Sequence, residues 1–275
     1  MISIIKTKKK KEKRSKQIIG KERQTSEILK RRHDLVKVSA EVITVSNFPI
    51  DDQTKFTAFL QTELDLPGSS ITWYTSGPPG ATVTYSLIRV ANSGGHNHGG
   101  GPTGSIAPTS ITLGPNYPQN VPITYLAPDA AGSIEQHWQA SNGQSGMDMV
   151  QIGIAGLVEL TGGVGLTLTG STSMHPRNHF GTPTLNSKIQ QLATTFHSKF
   201  NKNIFVNDAS LEQGGLFDHK GTWAPPHSTH REGRTVDVNS TSMTAAERDF
   251  FRQTAVSLGF AVTLETTPPH WHLFI

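Results

Sequence analysis

Two histidine-bearing clusters near the end of this 275-residue chain can act together only if the fold brings them side by side, and that requirement constrains the architecture more than any other feature. The first reads Pro226-His227-Ser228-Thr229-His230-Arg231-Glu232-Gly233-Arg234-Thr235-Val236-Asp237, and the second is Pro269-His270-Trp271-His272. Together they offer His230, Asp237 and His272 as three ligands for one metal ion. Three protein ligands leave a fourth tetrahedral position open, the property that separates a catalytic zinc from a structural one. The chain contains no cysteine. A zinc ion here is therefore held by imidazole and carboxylate, the ligand set of hydrolytic sites, and the triad implies one ion per chain.

Strand periodicity places these groups. Residues two apart on a strand share a face. His270 and His272 then project together, with Trp271 and Leu273 buried behind them. In the first cluster, Pro225, Pro226 and Gly233 keep 227–233 irregular, after which Thr235-Val236-Asp237-Val238 alternates as a strand. Val236 and Val238 face a core and turn Asp237 to the opposite side. Taken alone, a histidine seven residues before an aspartate is a common accident, and two histidines on a terminal strand are often solvent-exposed. The pairing of the two clusters is what carries information.

The spacing S-x-H-x-x-G-x-x-x-D followed by H-x-H resembles the LAS-type zinc metallopeptidases. That group includes penicillin-insensitive murein endopeptidases, D-Ala-D-Ala carboxypeptidases and the hedgehog signalling domain. His230-Arg-Glu-Gly-Arg-Thr-Val-Asp237 is similar to the hedgehog form of the motif. Arg177-Asn-His179-Phe-Gly-Thr-Pro183, Ser210-Leu-Glu-Gln-Gly-Gly215 and His227 are similar to the murein endopeptidase branch. The resemblance covers residues 170–275. It implies that His230, Asp237 and His272 bind Zn2+ and that His270 is an active-site histidine.

One departure matters. Many members of the group carry a glutamate three residues before the last ligand, as general base; here that position is Pro269. The nearest carboxylate, Glu265, ends the run 260–265, in which Phe260, Val262 and Leu264 share one parity and Glu265 falls on the other. The catalytic base is thus either Glu265 or His270, with His270 favoured because it lies on the same strand face as a ligand. Zinc polarises a carbonyl and activates water, while the base takes the water proton and returns it to the leaving amine. Arg177 suits bidentate pairing with a substrate carboxylate, and His179 is expected to line the substrate cleft. His227, three residues before His230, is expected to orient a metal ligand.

The resemblance implies peptidoglycan peptides as substrate, cleaved in the manner of a murein endopeptidase or carboxypeptidase, and a location outside the cytoplasm in the cell envelope or medium. No signal peptide is visible, since Met1-Ile-Ser-Ile-Ile is too short for an apolar core and lysines follow it. The competing reading is a non-catalytic zinc-stabilised binding or adhesion protein.

The rest of the chain predicts a multi-domain protein: a basic disordered tail (1–38), an all-β immunoglobulin-like sandwich (39–168) and a small α+β metallopeptidase domain (169–275). Within 39–168, short runs rich in Val, Ile, Thr and Tyr recur between Gly/Pro/Ser/Asn clusters, the spacing of a sandwich; a short helix is expected over 52–64. The loop Gly94-Gly-His-Asn-His-Gly-Gly-Gly101 holds His96 and His98, but two histidines alone are weak metal ligands, so it is expected to be a flexible connection. His175 is expected in a loop, and His197 on the solvent side of a helix. Leu185, Ile189, Leu192, Phe196 and Phe200 follow helical spacing. Thr244-Ala-Ala-Glu247 is a capping box for a second helix, which Gly259 stops. No phosphate-binding loop or stacked-aromatic surface suggests nucleic acid, and no run approaches the ~20 apolar residues of a membrane span.

Charge is unevenly distributed. Residues 1–33 carry thirteen Lys/Arg and three Glu, so a chain of net charge +4 has an acidic body behind a basic arm. The arm can make weak electrostatic contact with an anionic surface. Deleting residues 1–33 is expected to leave bound metal unchanged, because the arm has too few apolar residues to pack. Elemental analysis and thermal melting of the truncated chain check this; a large fall in melting temperature would give the arm a structural role.

Overall fold

Alternation along the first half produces strands whose inward residues are Val, Ile, Tyr and Ala. The protein is described here by a computed structural model over residues 67–68, 70–75, 80–115, 121–218, 220–224 and 229–275. The expected basic arm and the helix expected over 52–64 lie outside these residues. The first strands are β1 (Ser70–Thr75), β2 (Thr82–Arg89), β3 (Ser105–Ala107), β4 (Ser110–Thr112), β5 (Val121–Leu126), β6 (Gly132–Ala140) and β7 (Ser145–Ile152). They form an antiparallel sheet of order β1-β5-β3 and another of order β4-β2-β6-β7. Ile106 and Ile123 from one sheet pack with Val83, Tyr85, Ile111 and Ala140 from the other. A second cluster, Tyr125, Ile134, Val150 and Ile152, continues this interior. The arrangement is a two-sheet β-sandwich, with alternate residues of β2, β3, β4, β5 and β6 buried.

The second half adds β8 (Val158–Glu159), β9 (Leu166–Leu168), β10 (Phe180–Gly181), α1 (Pro183–Phe200), β11 (Ile204–Asp208), β12 (Thr235–Asn239), α2 (Ala245–Ser257), β13 (Ala261–Thr266) and β14 (Pro269–Phe274). Its main sheet has the order β13-β14-β12-β11-β9, antiparallel except for the parallel pair β9–β11. That parallel pairing takes Leu166–Leu168 away from the sandwich to which the sequence pattern assigned it. Strand periodicity shows that a segment is extended; it does not show which sheet receives it.

Both helices begin where their caps require. The Thr182 hydroxyl accepts from the Leu185 amide with Pro183 at the first turn, and Thr244 and Glu247 form the reciprocal capping box. Leu185, Ile189, Leu192, Ala193 and Phe196 of α1, with Phe251 and Ala255 of α2, cover one sheet face made of Leu166, Ile204, Val206, Val236, Val238, Trp271 and Leu273. The sheet is thus covered by helices on one side, and its other side carries Asp237, His270 and His272. Among the described residues, no helix is long and apolar enough to cross a membrane.

The described residues fall within one compact unit, Phe48–Ile275. Backbone hydrogen bonds join its two parts: Ile154 N donates to Gln213 O, and Leu216 N to Asp129 O.

Phe251 is fully buried and stacks on Trp271 at a centroid distance of 5.7 Å. Phe251→Ala is expected to destabilise the fold by about 3–5 kcal/mol through lost transfer energy and a residual cavity. Urea unfolding checks this value.

Candidate metal centre

The pairing of β12 with β14 sets Val236 opposite Leu273, Asp237 opposite His272 and Val238 opposite Trp271. The apolar partners belong to the core beneath the helices, so Asp237 and His272 stand on the other face. His270 lies two residues from His272 on that face and faces Glu265 across the β13–β14 pair. The side chains expected to work together are therefore brought together by register and pleat.

His230 arrives from a loop. It opens a single 3-10 turn, His230–Glu232, and is fully buried. Gly233 closes the turn in the left-handed region at φ 65°, where a Cβ would meet the Leu157 side chain. The positive φ and the nearby backbone of Gly181 and Thr182 favour glycine between the histidine and aspartate of the motif, where the turn passes into β12. The turn is braced from behind, as Gly215 N donates to Arg231 O and Thr235 Oγ1 to Thr229 O.

The donors converge closely. His230 Nε2 lies 3.3 Å from Asp237 Oδ2, and His272 Nδ1 lies 2.8 Å from Asp237 Oδ1. His230 Nδ1 is 2.7 Å from the Ala209 carbonyl, to which it donates. This backbone contact fixes the tautomer and leaves Nε2 facing the other donors, the arrangement usual for a ligating histidine. Burial alone would raise the Asp237 carboxyl, but the contacts from His230 and His272 outweigh it and hold the group well below the usual carboxylate range. The hydrogen bond to Asp237 raises His272 above the ordinary histidine value, against the opposing effect of burial. His230, Asp237 and His272 thus form a group able to hold a metal ion.

Both candidates for the base lie at the edge of this group. His270 Nε2 is 3.5 Å from Asp237 Oδ2 and 3.5 Å from Glu265 Oε2. His270 Nδ1 donates to the Pro268 carbonyl at 2.8 Å, which leaves Nε2 facing Asp237 and Glu265. His270 is nearly buried, whereas the Glu265 side chain is half exposed. The geometry joins the two as a pair and removes neither.

The remaining expected site residues have other surroundings. Arg177 pairs with Glu212 and Glu159 and lies over the Phe180 ring. His179 is buried, with Nε2 3.3 Å from the Val206 carbonyl. Neighbouring Asn178 is also buried and donates to Asp208. The contacts of Arg177 and His179 are with the scaffold, and the Arg177 side chain stays half exposed. His227 lies outside the described residues.

Sequence reasoning passed over a second convergence. His96, His98, His175 and Asp218 form another group with metal-ligand spacing. The one local signal was the H-x-H in the glycine-rich loop, the same spacing found on β14. Its other two members come from segments far along the chain.

No protein-family model matches the chain, and no curated protein matches it. Among solved structures, the ASH/PapD-like domain 7 of human CEP192 is similar at 18% identity with a TM-score of 0.26, over 40% of this chain and 96% of that one. A DUF4466 family protein from Parabacteroides merdae is similar at 11% identity with a TM-score of 0.20, over 71% of this chain and 69% of that one. Neither likeness assigns a fold or an activity.

In protein stripped of metal, the His272–Asp237 pair makes stability depend on pH. His272 is raised in the folded state, so its contribution is complete below the unfolded value of about 6.5 and is lost as pH rises through the folded value. Asp237 is depressed, so its contribution is present above about 3.9 and is lost as pH falls through its folded value. The melting temperature of chelator-treated protein is expected to fall above about pH 6.5, and His272→Gln is expected to remove that component. Scanning calorimetry across this range checks both outcomes.

Proposed function

We propose that the chain is a zinc-dependent peptidase that hydrolyses peptide bonds of peptidoglycan outside the cytoplasm. The observation that carries this reading is the three-donor set His230, Asp237 and His272, with the His270–Glu265 pair at its edge. The donors fit zinc. Two imidazoles and one carboxylate are a common hydrolytic ligand set, and donors around a tetrahedral zinc with bonds of about 2.0–2.1 Å are spaced by roughly 3.3 Å. The His230–Asp237 separation is 3.3 Å; the His272–Asp237 separation of 2.8 Å is that of a hydrogen bond, which a bound ion would replace. When bound, zinc lowers the pKa of water toward about 7 and polarises a carbonyl oxygen.

The protein's own groups supply the rest. His230 presents Nε2 because Nδ1 is engaged by Ala209, and Asp237 supplies negative charge on a rigid strand. His270, oriented by the Pro268 carbonyl, accepts the proton of the attacking water at Nε2 and returns it to the leaving amine. Glu265 stands beside that atom and stabilises the imidazolium formed in the interval. The peptidoglycan assignment rests on the resemblance of the S-x-H-x-x-G-x-x-x-D and H-x-H segments to murein endopeptidases and carboxypeptidases. The sandwich, of immunoglobulin-like type in this reading, is a targeting or spacing module.

Incubation of zinc-loaded protein with muropeptides, followed by mass spectrometry, tests the reading. Cleavage of peptide bonds is expected. Retained zinc with no cleavage would favour the non-catalytic binding protein. His270→Ala is expected to lower turnover by about 10²–10⁴-fold, the usual share of a general base, with zinc retained. Glu265→Gln is expected to be milder, and the reverse order would assign the base to Glu265.

A further inference from the structure

We propose a second metal site, a closed four-donor zinc centre formed by His96, His98, His175 and Asp218. It is separate from the triad and independent of the peptidase reading. The glycine-rich loop supplies His96 Nδ1 and His98 Nε2. The loop before β10 supplies His175 Nε2, and the segment after Phe217 supplies Asp218 Oδ1.

The geometry is that of a tetrahedron. Four donors define six separations. His96–His98 is 3.2 Å, His98–His175 is 3.3 Å and His96–His175 is 3.3 Å. From Asp218 Oδ1 the distances are 3.4 Å to His96, 3.3 Å to His98 and 2.8 Å to His175. A regular tetrahedron around zinc with bonds of about 2.0–2.1 Å has edges of roughly 3.3 Å. Five of the six separations fall within a tenth or so of an ångström of that value.

Hydrogen bonding alone accounts poorly for this arrangement. One carboxylate oxygen has about two lone-pair directions and cannot satisfy three converging N–H groups. If the ring nitrogens carry no proton, their lone pairs oppose one another and the carboxylate. A mixed set of tautomers can join some of the donors in pairs, whereas a cation at the centre accounts for all six separations at once. His96, His175 and Asp218 are almost wholly buried, so water offers little relief, and buried charge must be paired or coordinate a metal. Imidazole-dominated donors in tetrahedral array favour zinc over calcium or magnesium, which take oxygen ligands in larger number.

The surroundings fit a structural role. Trp223 lies over both loop histidines, its ring centroid 4.5 Å from His96 and 4.5 Å from His98. Its backbone amide donates to Asp218 Oδ2, and its Nε1 to Gly99 O. Gly101, at φ 109°, passes so close to the indole that a Cβ would lie 2.5 Å from Trp223 Cε2. The glycines therefore let the loop fold tightly under a tryptophan cover. With four protein donors no position remains for substrate, the mark of a structural zinc. The ion would clamp the sandwich loop to the part of the chain that carries the triad.

The test is metal stoichiometry of the full-length chain, stripped by chelation, reloaded with Zn2+ alone and desalted. Two zinc ions per chain are expected for the unaltered protein. One is expected for His98→Gln, one for His230→Ala and none for the double variant. Co2+ in place of zinc is expected to give tetrahedral d–d absorption in His230→Ala that is lost on adding His98→Gln. His98 is the most accessible of the four ligands; Asp218→Asn is the second probe should His98→Gln fail to fold. A single zinc in the unaltered protein, abolished by His230→Ala, would overturn the second site and leave the triad standing. Two zinc ions without muropeptide cleavage would overturn the peptidase and leave the second site standing.

Discussion

The register between β12 and β14 is the constraint on which the metal centre depends. Asp237 faces His272 because Val236 faces Leu273 and Val238 faces Trp271. Strand side chains alternate, so a slip of one residue in β14 would drive His270 and His272 into the core and expose Trp271 and Leu273. The core beneath the helices therefore specifies the site above it. The free energy that selects this register is hydrophobic, and the donors are carried to the opposite face by the pleat.

Around that register the chain provides two kinds of support. The 3-10 turn bearing His230 is fixed by the Ala209 carbonyl and by Gly215. The segment from Arg177 to Pro183 leads through Asn178, His179 and the short strand β10 into the cap of α1, with most of its polar groups satisfied internally. The contacts of these residues run to neighbouring side chains and backbone of the same scaffold. Where a motif extends beyond the ligands, its outer residues can hold backbone in place as readily as they touch a substrate.

The two donor groups differ in what they can do. The triad has two donors on the sheet and one on the turn that leads into it, with a histidine–carboxylate pair at its edge. The other group has four donors on loops, covered by Trp223. One Phe217 ring touches both, with centroids 5.2 Å from His175 and 6.3 Å from His230. The loop group joins the sandwich to the sheet at a place where backbone hydrogen bonds also cross.

Much of this was legible from residue order. Helix α1 followed from the spacing of Leu185 to Phe200, and α2 from its capping box, because helix periodicity and caps are local. The faces of Asp237, His270 and His272 followed from strand alternation, also local. Other features had no local signature. The parallel pairing of β9 with β11 joins segments on either side of a helix. The burial of His179 depends on which carbonyl lies above it, and His96 meets His175 and Asp218 only after the chain has crossed between its two parts. The sequence alone determined which residues could share a face, because backbone geometry repeats every two or 3.6 residues. Tertiary structure alone decided which distant faces meet, because that outcome comes from packing the whole core and no short stretch of chain encodes it.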